Sequence, residues 1–161
     1  MQNLGALLKT AIFTIFVPGT VAGYLPWTLR GRATVATYGV ETAAAIAVII
    51  IGILIYLHTA FWGFAYTGGG TPAPIAPTKI LVVHGLHRHV RNPMYIGVAL
   101  IIAGQAWLFH SRHIAIYLAC VLAIVNFFVL VYEEPTLRKQ FGDQYEQYKK
   151  SVPRWIPRIR L

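Results

Sequence analysis

The tightest constraint on this chain is where its charges are missing. No Lys, Arg, Asp or Glu interrupts the runs from Thr10 to Trp27, from Thr42 to about Tyr66, from Asn92 to Ser111, or from His113 to Tyr132. A helix needs about 20 consecutive apolar residues to cross the hydrocarbon core of a bilayer, and each run approaches or exceeds that length. Peptide groups in lipid find no water, so such runs have to be helical to satisfy themselves. Composition agrees: 57% of the 161 residues are hydrophobic and 12% charged, with a mean hydropathy of +0.58, outside the soluble globular range. The sequence therefore predicts an all-α integral membrane protein. Its expected layout is one domain with four transmembrane helices at about 7–27, 42–65, 93–110 and 113–133, a loop at 66–92, and a cytosolic amphipathic C-terminal helix at about 134–152.

A net charge of +9 suggests nucleic acid only until the basic residues are placed. Arg138, Lys139, Lys149, Lys150, Arg154, Arg158 and Arg160 follow the last run, and Lys79, Arg88 and Arg91 separate the second from the third. Only Arg30, Arg32 and Arg112 fall in the alternate loops. That asymmetry is the positive-inside pattern, and it puts both termini and the 85–97 segment in the cytoplasm, with no nucleic-acid partner. Lys9 before an apolar run, with small residues at Thr20-Val21-Ala22-Gly23, has the outline of a cleavable signal, but a retained span is the expectation. Cys120, the single cysteine, lies inside the fourth run and is read as a packing residue.

Local signals refine the layout. Pro18-Gly19 is expected to kink the first span, and Pro93 suits the first turn of the third. Gly97 and Gly104 with Ala103 permit close helix packing. TGGGTPAPIAPTK, from Thr67, is a loop; it lacks the preceding strand that a phosphate cradle requires. His110-Ser111-Arg112-His113 leaves room only for a tight turn, so the third and fourth spans form a hairpin that returns Asn92 and Tyr132 to one membrane face. Beyond it Leu137, Phe141, Tyr145, Tyr148 and Val152 draw an apolar stripe along a helix expected at the membrane surface, with Pro135 at its boundary.

Chemistry has few places to sit. Glu133 and Glu134 end the fourth run at the bilayer edge, where carboxylates are costly unless paired or functional. The hairpin sets them on the side of Arg88, Arg91 and the histidines, so opposite charges converge over an apolar bundle. His84, His87 and His89 invite a metal, but no second cluster of partners accompanies them, and none is expected.

Two motifs carry a resemblance. GLHRHVRNPMYIG, Gly85 to Gly97, resembles the glycine, arginine, R-H-P, tyrosine, glycine signature of the isoprenylcysteine carboxyl methyltransferase and phospholipid methyltransferase superfamily. Glu133-Glu134, Leu137, Phe141-Gly142, Tyr145, Tyr148 and Val152-Pro153 resemble its E-E-x-x-L, F-G-x-x-Y-x-x-Y and V-P ending. The two cover about the C-terminal half of the chain and stand in the order the superfamily has them. The resemblance implies a membrane enzyme that takes a methyl group from S-adenosylmethionine, without a Rossmann domain, in a cytosolic pocket between the signature loop and the C-terminal helix. Carried over, His87, Arg88, Arg91 and Asn92 would line that pocket with Pro93, Tyr95 and Gly97, the last letting backbone approach the cofactor. Glu133 and Glu134 would bind its polar groups, an amino group or ribose hydroxyls. Arg91, Glu134 and His89 would carry the catalytic work.

The chain departs from the pattern in three places. Asn92 stands where members often have histidine, and an amide cannot titrate. His87 and His89 replace frequent aromatics, and either stack on the adenine or face the headgroups. Pro135 interrupts E-E-x-x-L. The implied acceptor is a lipid or prenylated molecule. A carboxylate acceptor needs no base; an amine or thiol would use His87, His89 or a glutamate. A non-catalytic membrane scaffold of the same fold and an NADPH-dependent membrane reductase are the other readings.

Overall fold

The computed structural model describes residues 2–31, 33, 35, 39–68 and 80–158, and among them every regular element is helical. Helix α1 covers Leu4–Leu29, α2 Val40–Thr67, α3 Pro93–Leu108 and α4 Arg112–Phe141. One turn at Gly85–Arg88 leads into α3, and α5, Asp143–Ser151, follows α4. α1, α2 and α4 are long and apolar enough to cross a membrane, whereas α3 has 16 residues. Their outer faces leave Ile12, Phe16, Leu54, Ile124 and Phe127 exposed, which water would penalise and lipid does not.

Backbone satisfaction explains how prolines survive in these helices. In α1 the turn at Gly19–Tyr24 is widened, so the Leu25 N–H bonds the Thr20 carbonyl, five residues back. Pro26 has no N–H to offer the next carbonyls. Neighbouring helices supply the donors instead: Tyr117 Oη donates to the Val21 carbonyl at 2.8 Å and Gln105 Nε2 to that of Ala22 at 2.6 Å. α4 uses the same device at Val129–Glu133, where the Glu134 N–H reaches the Val129 carbonyl. The helix therefore runs through Pro135 and ends at Phe141. Gly142, at φ 51°, turns the chain into α5; that left-handed backbone is the conformation a residue without Cβ adopts freely. The apolar stripe is thus shared between two helices, and Tyr145, Tyr148 and Val152 pack with Leu137, Phe141 and Leu81.

α2 and α3 pack antiparallel at very short range through glycines. A Cβ on Gly97 would lie 2.8 Å from the Gly52 carbonyl oxygen and 2.9 Å from the Tyr56 nitrogen; one on Gly104 would lie 2.9 Å from the Ala45 carbonyl oxygen. Lipid offers no hydrophobic drive between helices, so close backbone packing has to hold them together. Around this seam Ala22, Tyr56, Ala60, Met94, Val98, Ile102 and Ile114 form the core. Ser111 caps α4 by accepting from the Ile114 N–H, closing the α3–α4 hairpin. The hairpin brings the start of α3 beside the end of α4 at the end of the bundle where α2 finishes.

Gly97→Ala should lower the thermal midpoint in detergent, because backbone on both sides cannot yield; overpacking of this kind costs about 1–3 kcal/mol. Gly23→Ala, where an added Cβ meets nothing within 4 Å, serves as the comparison and should be neutral or better. Equal midpoints for the two variants would show that the seam is not close-packed.

Candidate functional site

The site is assembled around one carboxylate. Glu134 follows the widened turn of α4 and is buried, and three cations from three segments reach it. Arg91, just before α3, donates from Nη1 to Glu134 Oε1 at 2.8 Å and to Tyr145 Oη at 3.2 Å. Arg154, beyond α5, donates from Nε to Oε1 at 2.7 Å and from Nη2 to Oε2 at 3.1 Å, a forked pair. Lys149 Nζ lies 3.8 Å from Oε2. Side-chain exposure separates them: 9% for Arg91 and 10% for Glu134, against 28% for Arg154 and 31% for Lys149. Removing Glu134 would strand the buried Arg91 charge, a loss of about 3–5 kcal/mol, whereas Glu134 without Arg91 would keep Arg154 and Lys149.

Glu133 has a different setting. Tyr95 Oη donates to its Oε2 at 3.0 Å, and the Tyr95 ring lies 6.5 Å from that of Trp155. Trp155 Nε1 in turn donates to Asn126 Oδ1 at 3.1 Å, which gives the one amide of α4's apolar stretch a partner. The tail is strapped along the segment that precedes α3. Arg91 N–H donates to the Pro153 carbonyl at 2.9 Å, Arg158 N–H to that of His89 at 2.9 Å, and Asn92 Nδ2 to that of Arg154 at 3.3 Å. Tyr148 Oη donates to the His87 carbonyl at 2.8 Å. Burial raises the pKa of the Tyr145 and Tyr148 phenols, so both stay protonated. Arg91, Asn92, Glu133, Glu134, Tyr145 and Tyr148 surround a cavity of about 20 Å³, the space of one water molecule. Arg91 Nε is buried without a hydrogen-bond partner, leaving a donor at the cavity unused.

Of the residues expected from sequence, Arg91, Asn92, Tyr95, Glu133 and Glu134 come together here. Pro93 starts α3, as its fixed φ favours. Gly97 lies one turn further in, and the close approach it permits is to the backbone of α2. Arg88 is exposed. The His89 ring nitrogen Nδ1 lies 3.3 Å from the Arg158 carbonyl oxygen, on the tail. His87 turns the other way, edge-on to Phe64 at 5.4 Å and against Gly63. Among the described residues no group of three or more His, Cys, Asp or Glu could hold a metal ion. Sequence reasoning missed Arg154, Lys149 and the Asn126–Trp155 bond. The lone amide in an apolar run was a usable signal for the last, while nothing but its place after Val152-Pro153 distinguishes Arg154 from the other basic residues of the tail.

Fold and site together define a helical membrane protein with a polar, carboxylate-centred site at one end of its bundle. Residues 40–144 match the phospholipid methyltransferase family, and the chain belongs to it. It is also similar to the protein-S-isoprenylcysteine O-methyltransferase of Schizosaccharomyces pombe, 35% identical over 80 residues, which are 50% of this chain and 34% of that protein. An uncharacterized protein of Haemophilus influenzae is 34% identical over 65 residues, 39% of this chain and the whole of that protein. The chain thus spans about a third of the length of the fission-yeast enzyme.

His87 makes the site region acid-sensitive. Burial, with His84 and His58 nearby, lowers its pKa from 6.5 to about 4, so the folded protein holds it neutral. The unfolded chain binds the proton more readily, so this stability is complete above about pH 6.5 and is lost as pH falls towards about 4. The melting temperature should fall over that window, and His87→Gln, which cannot titrate, should show a shallower fall. Parallel curves would locate the acid sensitivity in another group.

Proposed function

We propose that this chain transfers the methyl group of S-adenosylmethionine to a lipid-like or prenylated acceptor. It would do so as a four-span protein whose termini and site face the cytosol. The family match and the fission-yeast relative support methyl transfer. The observation that carries the reading to these residues is the meeting of Glu133 and Glu134 with Arg91, Asn92 and Tyr95 at one end of the bundle. The donor set fits the cofactor: carboxylates for an ammonium or ribose hydroxyls, and the unused buried Arg91 Nε for an acceptor oxygen.

Bound there, the cofactor supplies a methyl group activated by a sulfonium. The protein's part is positioning and exclusion of water. Arg91, anchored by Tyr145, holds Glu134 in place, and Tyr95 orients Glu133. Arg88, exposed in the turn that precedes Arg91, is available to guide an anionic acceptor. A carboxylate acceptor requires no base. For an amine or thiol, Glu133, which lines the cavity, is better placed than His87, which faces α2. A lipid acceptor has somewhere to put its tail: an apolar groove of about 210 Å³ between α1, α2 and α3, lined by Pro18, Ala22, Ile53, Leu57 and Ile101. The saturation of Glu134 by cations and the water-sized cavity favour a second reading, a non-catalytic binding protein of the same fold.

Purified protein incubated with native lipids and isotopically labelled S-adenosylmethionine should yield a labelled lipid species by mass spectrometry, and Glu133→Ala should yield none. Cofactor binding without any labelled product would favour the second reading, and no cofactor binding would end both. Topology is checked separately in a Cys120→Ser background. Arg32→Cys should react with an impermeant thiol reagent on intact cells and Lys149→Cys should not; the reverse pattern would put the site on the other face.

A further inference from the structure

The three cations on Glu134 are not equivalent. Arg91 is almost wholly buried and has a second anchor in Tyr145, so it belongs to the framework. Arg154 is more exposed, and its guanidinium hydrogen-bonds Glu134 through both Nε and Nη2. Its backbone, in contrast, is tied down on both sides. The Pro153 carbonyl accepts from Arg91 N–H, its own carbonyl from Asn92 Nδ2, and the neighbouring Trp155 is held by Asn126. The side chain can therefore leave Glu134 while the strap stays in place. Arg154 also lies outside the 40–144 segment that matches the family, so its role has to be read from the structure.

Resting on the reading above, we propose that Glu134 and Arg154 together form the recognition site for the zwitterionic α-amino acid end of the methyl donor. The ligand's ammonium takes the place on Glu134 that the Arg154 guanidinium holds without ligand, and the released guanidinium receives the ligand's carboxylate. A zwitterion inserted into an ion pair replaces one ion pair by two, so neither protein charge is stranded. The planar fork of arginine matches a carboxylate as it matched Glu134, a fit that lysine does not reproduce. The same movement uncovers the carboxylate: Glu134 lines the water-sized cavity, and Arg154, which bonds both of its oxygens, is partly exposed to solvent.

The test is calorimetric binding to the full chain in nanodiscs, comparing S-adenosylmethionine with its decarboxylated analogue, which keeps the sulfonium, nucleoside and ammonium. Wild type should prefer the carboxylate-bearing compound by about tenfold or more, the scale of a charge-assisted hydrogen bond. Arg154→Ala should lose that preference while binding the analogue at least as well as wild type does, since Glu134 is no longer covered. Arg154→Lys should keep only part of it, and Lys150→Ala, which removes an equal charge from an exposed position, should keep all of it. A loss of tail packing would weaken both ligands alike, so the ratio isolates the recognition role; Arg154→Lys preserves the charge should the alanine variant not fold. A preference undiminished in both Arg154 variants overturns this assignment and leaves the methyltransferase reading standing. Wild type that binds neither compound overturns the two together.

Discussion

A carboxylate at the edge of a membrane has to be neutralised by something, and in this protein that requirement organises everything at one end of the bundle. Glu134 draws Arg91 from the start of α3, Lys149 from α5 and Arg154 from the tail. The start of α3, the end of α4, α5 and the tail are thereby tied to one point. The ties differ in kind. Arg91–Glu134 is buried and bonded further to Tyr145, so removing Glu134 would strand the Arg91 charge; Arg154 and Lys149 reach water, where ion pairs are weak and exchangeable. The buried inner pair and the more exposed outer cations therefore hold the same carboxylate with different strengths.

The bundle beneath solves a separate problem by related means. Its helices lie among lipid, so packing rather than hydrophobic drive brings them together, and glycines at 52, 97 and 104 let backbone meet backbone. Prolines would break such helices if the carbonyls they abandon stayed bare. Gln105 and Tyr117 reach across to α1 to prevent that, and a widened turn does the same work before Pro135. The latter turn also sets the facing of Glu133 and Glu134, since an extra residue in a turn rotates all that follows. The irregularity of α4 is thus part of how the site is aimed.

Much of this was legible in the sequence. Charge-free runs of bilayer length marked the apolar helices, the short turn at His110–His113 implied the hairpin, and two motifs pointed to the family that residues 40–144 match. Pairings between distant side chains were not legible. Seven basic residues follow the fourth run, and composition cannot say which of them meets Glu134. The stripe from Leu137 to Val152 read as one amphipathic helix because periodicity carries on smoothly across Gly142. Only a positive φ there divides it, and Leu81 partly covers the stripe. Gly97 shows a similar limit: a glycine in a motif announces a close approach without naming the partner, and the structure sets the backbone of α2 against it.

What the sequence determined by itself was the solvent of the chain and hence its secondary structure, because the absence of charge over bilayer-length runs leaves helices as the means of satisfying the backbone in lipid. It also determined which residue types gather at one end, since a tight turn between two apolar helices returns their ends to the same level. The tertiary structure alone decided that Glu134 rather than Glu133 collects the cations, that His87 turns away from the acids, and that Arg154 is the tail residue that bonds Glu134. Those outcomes depend on helix rotation and on the path of the tail, which are set by packing and by distances of a few ångströms that no spacing of letters encodes.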